Sequence, residues 1–396
     1  MTDKDNGINE INKSEINGKD AAPALQSAEN PDKKYNLFKL ILIVINIITI
    51  IILINIELKD NSLKDFSGAM SILSSNIIWL LIGLAVFVVK NLADTLCYFI
   101  LIKYTTGENR FILSLKTALI GKYGDGVTPL ATGGQPFQIY LLHKYNVELA
   151  KSASIPLTRI VIKVLAYDLT MLFFFIFFPQ KGSGIIKAIA YVGIGVNMIL
   201  PVVIILFTVK VNWARKMTAW GLKLGYKLRL VKDIDKERDY WTKKVDDMLS
   251  SIRYFTTHPF IFFSTFALSA IELLALSSIP FFVYKAFGGG GYGWLFVTVS
   301  TMYVLCSSLM SPTPGTSGAA EASFYLVFAK IITGGMVFYG LITWRIITFY
   351  SYIFIGILLL VYESFFKKKS EIDISDEKRG RTTNRMRRLT DRKNKD

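Results

Sequence analysis

Arg159 and Lys163 stand four residues apart inside a long apolar run, a spacing that puts both on one face of a helix. A guanidinium there offers a planar fork of donors and an ammonium adds a point charge, so the pair suits a phosphate. Snorkelling of both side chains to a membrane interface is the other reading. Ionisable groups inside apolar runs are costly, and this chain has more of them. Asp168 lies deeper in the same run and turns to another face. Glu321 and Arg345 fall in separate runs and could neutralise each other. Lys90 and Asp94, again four apart, read as an intrahelical ion pair. Glu272 sits mid-run with Ser269 and Ser277 nearby, and either lines a cavity or holds a proton.

Two apolar segments are broken by sequences that no continuous helix tolerates. Phe111–Tyr145 is interrupted by GDGVTPLATGGQP (Gly124–Pro136), and Trp294–Ile332 by SPTPGTSG (Ser311–Gly318). Proline removes a backbone donor and glycine adds entropy cost. In the first break, Thr132 or Gly133 can cap a helix that starts near Pro136. Gly133, Gly134, Gln135 and Pro136 would then present backbone N–H groups and the positive end of a helix dipole to an anion. The second break repeats the pattern through Pro314, Gly315 and Gly318, with Thr316 or Ser317 before the helix. A kink where glycine lets helices approach is the alternative.

These residues belong to a chain of 396 residues that is 52% hydrophobic and 19% charged, with a mean hydropathy of +0.40. Soluble domains carry about 25% charged residues. The charges are also segregated, with long uncharged runs alternating with Lys/Arg clusters. This excludes a soluble globular enzyme, a disordered chain and a disulfide scaffold. Cys97, Cys306, His143 and His258 have no metal-ligand spacing, no nucleophile–base pair is legible, and no phosphate-binding loop of the nucleotide-hydrolysing type is present. No cofactor or metal is expected. The bias toward Ile, Lys, Asn and Phe suggests an AT-rich, bacterial genome.

The runs long enough to cross a bilayer are 37–58, 77–102, 155–178, 185–209, 259–287 and 337–362. The expected fold is an all-α polytopic membrane protein of about six full transmembrane helices plus two broken re-entrant hairpins of opposite orientation, a weak inverted pair. Residues 210–255 hold twelve Lys/Arg against six acidic residues, and 367–396 another twelve against six, whereas the short loops at 59–75, 179–184 and 287–292 hold just Lys59, Lys64 and Lys181. This asymmetry puts both termini and the 210–255 loop in the cytoplasm. Three parts follow: a disordered cytoplasmic tail (1–36), a transmembrane domain (37–362) and a basic cytoplasmic tail (363–396). Within 210–255, Trp213, Met217, Trp220, Leu224 and Leu228 among Lys and Arg have the spacing of an amphipathic helix on an anionic leaflet.

TPLATGGQPFQIYLL (Thr128–Leu142), Arg159 near the start of the next span, PTPGTSGAAEASF (Pro312–Phe324) and Arg345 in the last span together resemble the transmembrane region of lysylphosphatidylglycerol synthases, a flippase-like family. The similarity covers nearly all of 37–362, and the two broken motifs are specific as a pair. The resemblance implies a lipid-handling domain of the bacterial plasma membrane that moves aminoacylated phosphatidylglycerol or a related anionic phospholipid, with Arg159, Glu321 and Arg345 as functional positions. Longer members add a soluble domain that transfers lysine from charged tRNA to phosphatidylglycerol, conferring resistance to cationic peptides. The 34 residues after Tyr362 are too few for that domain. Phosphatidylglycerol lysyltransferase activity with a separate catalytic partner is therefore the alternative to lipid translocation. Anionic phospholipid is the expected partner, homo-oligomerisation stays open, and no specific nucleic acid is expected.

Overall fold

The computed structural model describes residues 66–128, 133–179, 184–227, 234–308, 314–332 and 336–363. The expected span at 37–58, the tail 1–36 and residues 364–396 lie outside these residues. Among the described residues every regular element is helical. In chain order they are α1 (Phe66–Ser75), α2 (Ile77–Thr106), α3 (Phe111–Val127), α4 (Gly134–Lys144), α5 (Leu149–Phe177), α6 (Gly184–Asn197), α7 (Ile199–Val209), α8 (Val211–Lys227), α9 (Ile234–Thr257), α10 (Pro259–Ala286), α11 (Trp294–Ser308), α12 (Ala319–Phe328) and α13 (Val337–Glu363). A single 3₁₀ turn, Pro314–Thr316, lies between α11 and α12, and α13 carries a π turn at Ile346–Tyr350.

Five helices are long and apolar enough to cross a bilayer: α2, α5, the α6–α7 unit over Lys187–Val209, α10 and α13. They coincide with five of the six runs in the sequence. Their local limits follow from ordinary signals. Gly107 ends α2 in the left-handed region (φ 75°), and its N–H closes onto the Lys103 carbonyl at 2.8 Å. Pro259 opens α10 in its first turn, where a missing N–H costs nothing.

Burial is inverted relative to a water-soluble protein. Ile78, Leu81 and Val88 of α2 are exposed, while Lys90, Asp94, Arg159 and Glu272 are buried. In a bilayer this is the favoured arrangement, since apolar side chains face lipid and charges pair inside the protein. The interior also holds stacked aromatics. Phe324 lies 4.3 Å from Phe328 and 5.1 Å from Trp344, and Phe175 lies 3.9 Å from Tyr303, centroid to centroid.

Three sequence expectations change. The 59–75 loop contains a helix, α1, whose Ala69 is fully buried in the same core as Tyr284 and Phe287. Ala69, Ile72 and Leu73 pack inward while Phe66 and Met70 stay exposed, and the helix is too short for a span. The first break is also narrower than expected. Helix α3 runs through Gly124, Asp125 and Gly126 to Val127, and α4 begins at Gly134 rather than near Pro136. The helix survives these glycines because Gly124 sits where α3 crosses α4 and Gly126 where it packs on Ile353 and Phe349 of α13. A Cβ on Gly124 would lie 2.7 Å from the Gly133 carbonyl oxygen, and one on Gly134 would lie 2.8 Å from that of Gly121. Close helix approach thus selects for glycine here. Finally, 210–255 holds two helices rather than one. The first, α8, exposes Trp213, Met217 and Trp220 and buries Ala214 against α9, to which Arg215 is tied by a bidentate pair with Asp246 (3.0 and 2.8 Å).

The two broken segments meet. The 3₁₀ turn packs on the end of α3, where a Cβ on Gly315 would lie 3.1 Å from the Gly126 carbonyl oxygen and collide with the Phe349 ring. Gly315 also adopts a φ of 57°, so both space and backbone demand glycine.

Candidate functional site: a buried cluster of four cations and two carboxylates

Helices α2, α3, α5 and α10 bring six charged side chains together. Arg159 of α5 is 2% exposed and fully engaged. Its Nε and one terminal nitrogen donate to Asp94 Oδ1 at 3.2 and 2.9 Å. That nitrogen also reaches Glu272 Oε2 at 2.5 Å, and the other donates to Ser269 Oγ at 2.9 Å. Glu272 is the hub. Its Oε1 lies 3.2 Å from Lys122 Nζ, 3.4 Å from Lys163 Nζ and 3.7 Å from Lys90 Nζ. Lys122 also lies 3.8 Å from Asp94 Oδ2. Behind the cluster, Lys90 donates to the Tyr352 hydroxyl of α13 at 2.5 Å, and that hydroxyl donates to Asn91 Oδ1 at 2.7 Å.

Lys90 and Asp94 therefore do not form the intrahelical pair read from their spacing. Each turns to partners on other helices, because packing brings Arg159 and Glu272 against α2 and a buried charge gains more from a close interhelical partner than from a neighbour on its own turn. Lys122, which the sequence pattern did not single out, is a full member. Glu272 proves to be the shared counter-charge.

Access is uneven. Lys90, Asp94, Arg159 and Glu272 are sealed, whereas the side chains of Lys122 and Lys163 are 18% and 22% exposed. Lys163 Nζ also lies 5.2 Å from the centroid of the Tyr167 ring. The Tyr167 hydroxyl is buried and has no hydrogen-bond partner among the described residues.

The first break is joined to this cluster through Asp125. Its Oδ1 accepts the Gly134 N–H at 2.9 Å, and Lys122 and Lys163 are its main favourable electrostatic neighbours. The Gly133 N–H is taken by Thr128 Oγ1 at 2.7 Å. These two N–H groups are thus not free for an outside anion, as the sequence pattern suggested. Gln135 is half-buried and Pro136 exposed in the first turn of α4. At the second break, Gly318 stands at the N-terminus of α12, and its N–H donates to Glu321 Oε2 at 2.5 Å, the half of a capping box open to a residue without a side chain. The protein's own carboxylates fill both helix starts.

Glu321 and Arg345 do meet, in a salt bridge, and the Arg345 guanidinium lies 5.2 Å from both the Trp344 and Phe349 rings. Pro314 and Gly315 stand in the 3₁₀ turn beside Phe349. Asp168 is fully buried but apart from the cluster, accepting from Asn197 Nδ2 at 3.1 and 3.3 Å.

The sequence pattern of the family described as Lysylphosphatidylglycerol synthase TM region matches residues 37–356. The chain belongs to that family. It is also similar to a protein named UPF0104 membrane protein from Archaeoglobus fulgidus, at 23% identity over 273 residues, covering 65% of this chain and 78% of that protein. Membership and the five apolar spans together make this a multi-pass membrane protein.

Proposed function

We propose that the protein binds the head group of an anionic phospholipid of the phosphatidylglycerol class at the Lys122–Lys163 edge of the buried cluster and carries it across the plasma membrane, with both termini cytoplasmic. One observation carries this reading. Six buried or half-buried charges, four positive and two negative, leave a cationic surplus whose two open members are lysines. A surplus of buried positive charge is unstable without a counter-ion, and a lipid phosphate supplies one. Family membership supports a lipid as the bearer of that phosphate, and the Lys/Arg asymmetry of the loops supports the orientation.

Arg159 acts in this scheme as the rigid organiser that fixes Asp94 and Glu272, with the lysines as the phosphate contacts. The experiment is a translocation assay in vesicles, using a fluorescent phosphatidylglycerol whose outer-leaflet fraction is bleached by dithionite. Wild-type protein should expose the inner-leaflet fraction, and Lys122→Gln/Lys163→Gln at matched insertion should lose most of that rate. Equal rates would remove the lysines from the transport path.

A further inference from the structure

We infer that α8 is an in-plane anchor whose Trp213–Met217–Trp220 face docks on the anionic lipid surface of the leaflet where α7 ends; the inference is independent of the head-group site. Trp213, Met217 and Trp220 are spaced by four and three residues, which puts them on one helical face, and they are 50%, 54% and 64% exposed. The opposite face is already covered. Ala214 and Leu222 are buried, and Ala214 shares a core with Leu249 and Ile252 of α9 and Val161 of α5. The helix therefore packs on the protein through one apolar face and turns a second one outward.

Charge identifies what the outward face meets. Helix α8 holds Arg215, Lys216, Lys223 and Lys227 and no acidic residue, whereas α9 holds five basic and five acidic residues. Arg215 is paired with Asp246. Lys216 and Lys223 are exposed beside the apolar face, and Lys210 Nζ lies 5.0 Å from the centroid of the Trp213 ring. Two copies of this face would bring lysine against lysine. An anionic leaflet answers both features, since tryptophan and methionine enter the head-group layer while the lysines reach the phosphates around them. Position agrees. The α6–α7 span ends at Val209, the backbone leaves the helical region at Lys210 (φ −109°, ψ 68°), and α8 begins at Val211. Its four basic residues bar it from continuing the span, so it starts where an amphipathic helix lies along the interface.

The test uses the full-length protein with Met217→Cys, since Cys97 and Cys306 are buried and a thiol-reactive fluorophore reaches the new cysteine first. In nanodiscs of phosphatidylcholine mixed with phosphatidylglycerol, the label should show apolar-shifted emission, quenching by a lipid nitroxide near the head group, and shielding from acrylamide in the water. The ratio of seated to released label should be about tenfold higher than in pure phosphatidylcholine, and high salt or Lys210→Gln/Lys216→Gln/Lys223→Gln should remove that gain. Trp220→Cys, labelled in the same way, gives a second reading if the first variant folds poorly. Full acrylamide access with no nitroxide quenching in either nanodisc would overturn the anchor. Seating equal in the two nanodiscs and indifferent to salt and to the lysine changes would overturn the recognition of anionic lipid. Shielding that persists in detergent without nitroxide quenching would mean that protein, from a second copy or another chain, covers this face, and would overturn the lipid as its partner.

Discussion

Two of the charged constellations among the described residues are built on different balances. The Glu321–Arg345 pair is matched one to one, with Glu321 also capping its own helix and Arg345 resting on two aromatic rings. The cluster around Glu272 has four cations for two carboxylates and leaves two lysines half-open. A balanced buried pair can be explained by structure alone, because the partners answer each other. An unbalanced one has room for a counter-charge from outside, which is the basis of the head-group proposal. The difference separates a joint that holds the second broken segment to α13 from the cluster on which that proposal rests.

The largest effect should come from removing the shared counter-charge. Glu272→Ala leaves four cations with Asp94 and, at the edge, Asp125, and should cost about 3–5 kcal/mol, seen as a large drop in thermal midpoint in detergent. High phosphate should restore part of that loss if the cluster takes anions. Arg159→Lys should come next, at about 1.5–3 kcal/mol, because an ammonium cannot reproduce the fork to Asp94, Glu272 and Ser269. A loss below the error of the melting curve would show that the fork is dispensable. For the balanced pair, Glu321→Gln and Arg345→Met should each destabilise, while the double change costs less than their sum by about 0.5–3 kcal/mol in a thermal double-mutant cycle. Strict additivity would mean that the two residues do not depend on each other.

The smallest effect belongs to the surface. A hydrogen bond from Lys244 at 3.0 Å holds the Glu148 carboxyl below the usual carboxylate range. Its contribution is present above the ordinary carboxylate pKa and is lost as pH falls through the lowered value. Both side chains are substantially solvated, so Glu148→Gln should leave the melting temperature unchanged at high salt and remove a slight acid-side slope at low salt. A large shift at neutral pH would show that α9 is anchored to α5 by this contact.

Much of the frame was legible from hydropathy. Five spans and the second break fall where the apolar runs place them, because length and charge exclusion are local properties of sequence. Helix α1 was missed because its run is too short for a span, and the extent of α3 because glycine reads as a breaker until the crossing partner is seen. In the site, Lys90, Asp94, Arg159, Lys163 and Glu272 stood out as anomalies inside apolar segments, whereas Lys122 did not. Their pairing did not, since Arg159 finds Asp94 across 65 residues and Glu272 across 113, while Lys122 finds Glu272 across 150. Spacing on one helix favoured Lys90 with Asp94, and interhelical packing overrode it. The helix starts at Gly133 and Gly318 read as open anion sites because sequence does not show that Asp125, Thr128 and Glu321 fold back onto them.

The central claim, that surplus cationic charge draws an anionic head group into the protein, is most directly tested by lipid retention. Wild type, Lys122→Gln/Lys163→Gln and Glu321→Gln/Arg345→Met would be purified from the same mixed phosphatidylglycerol–phosphatidylcholine membrane and their bound lipid weighed by native mass spectrometry. Wild type and the Glu321/Arg345 variant should retain phosphatidylglycerol well above its share of the membrane, and the lysine variant should retain it only in proportion. Undiminished enrichment in the lysine variant, or a loss confined to the Glu321/Arg345 variant, would contradict the account.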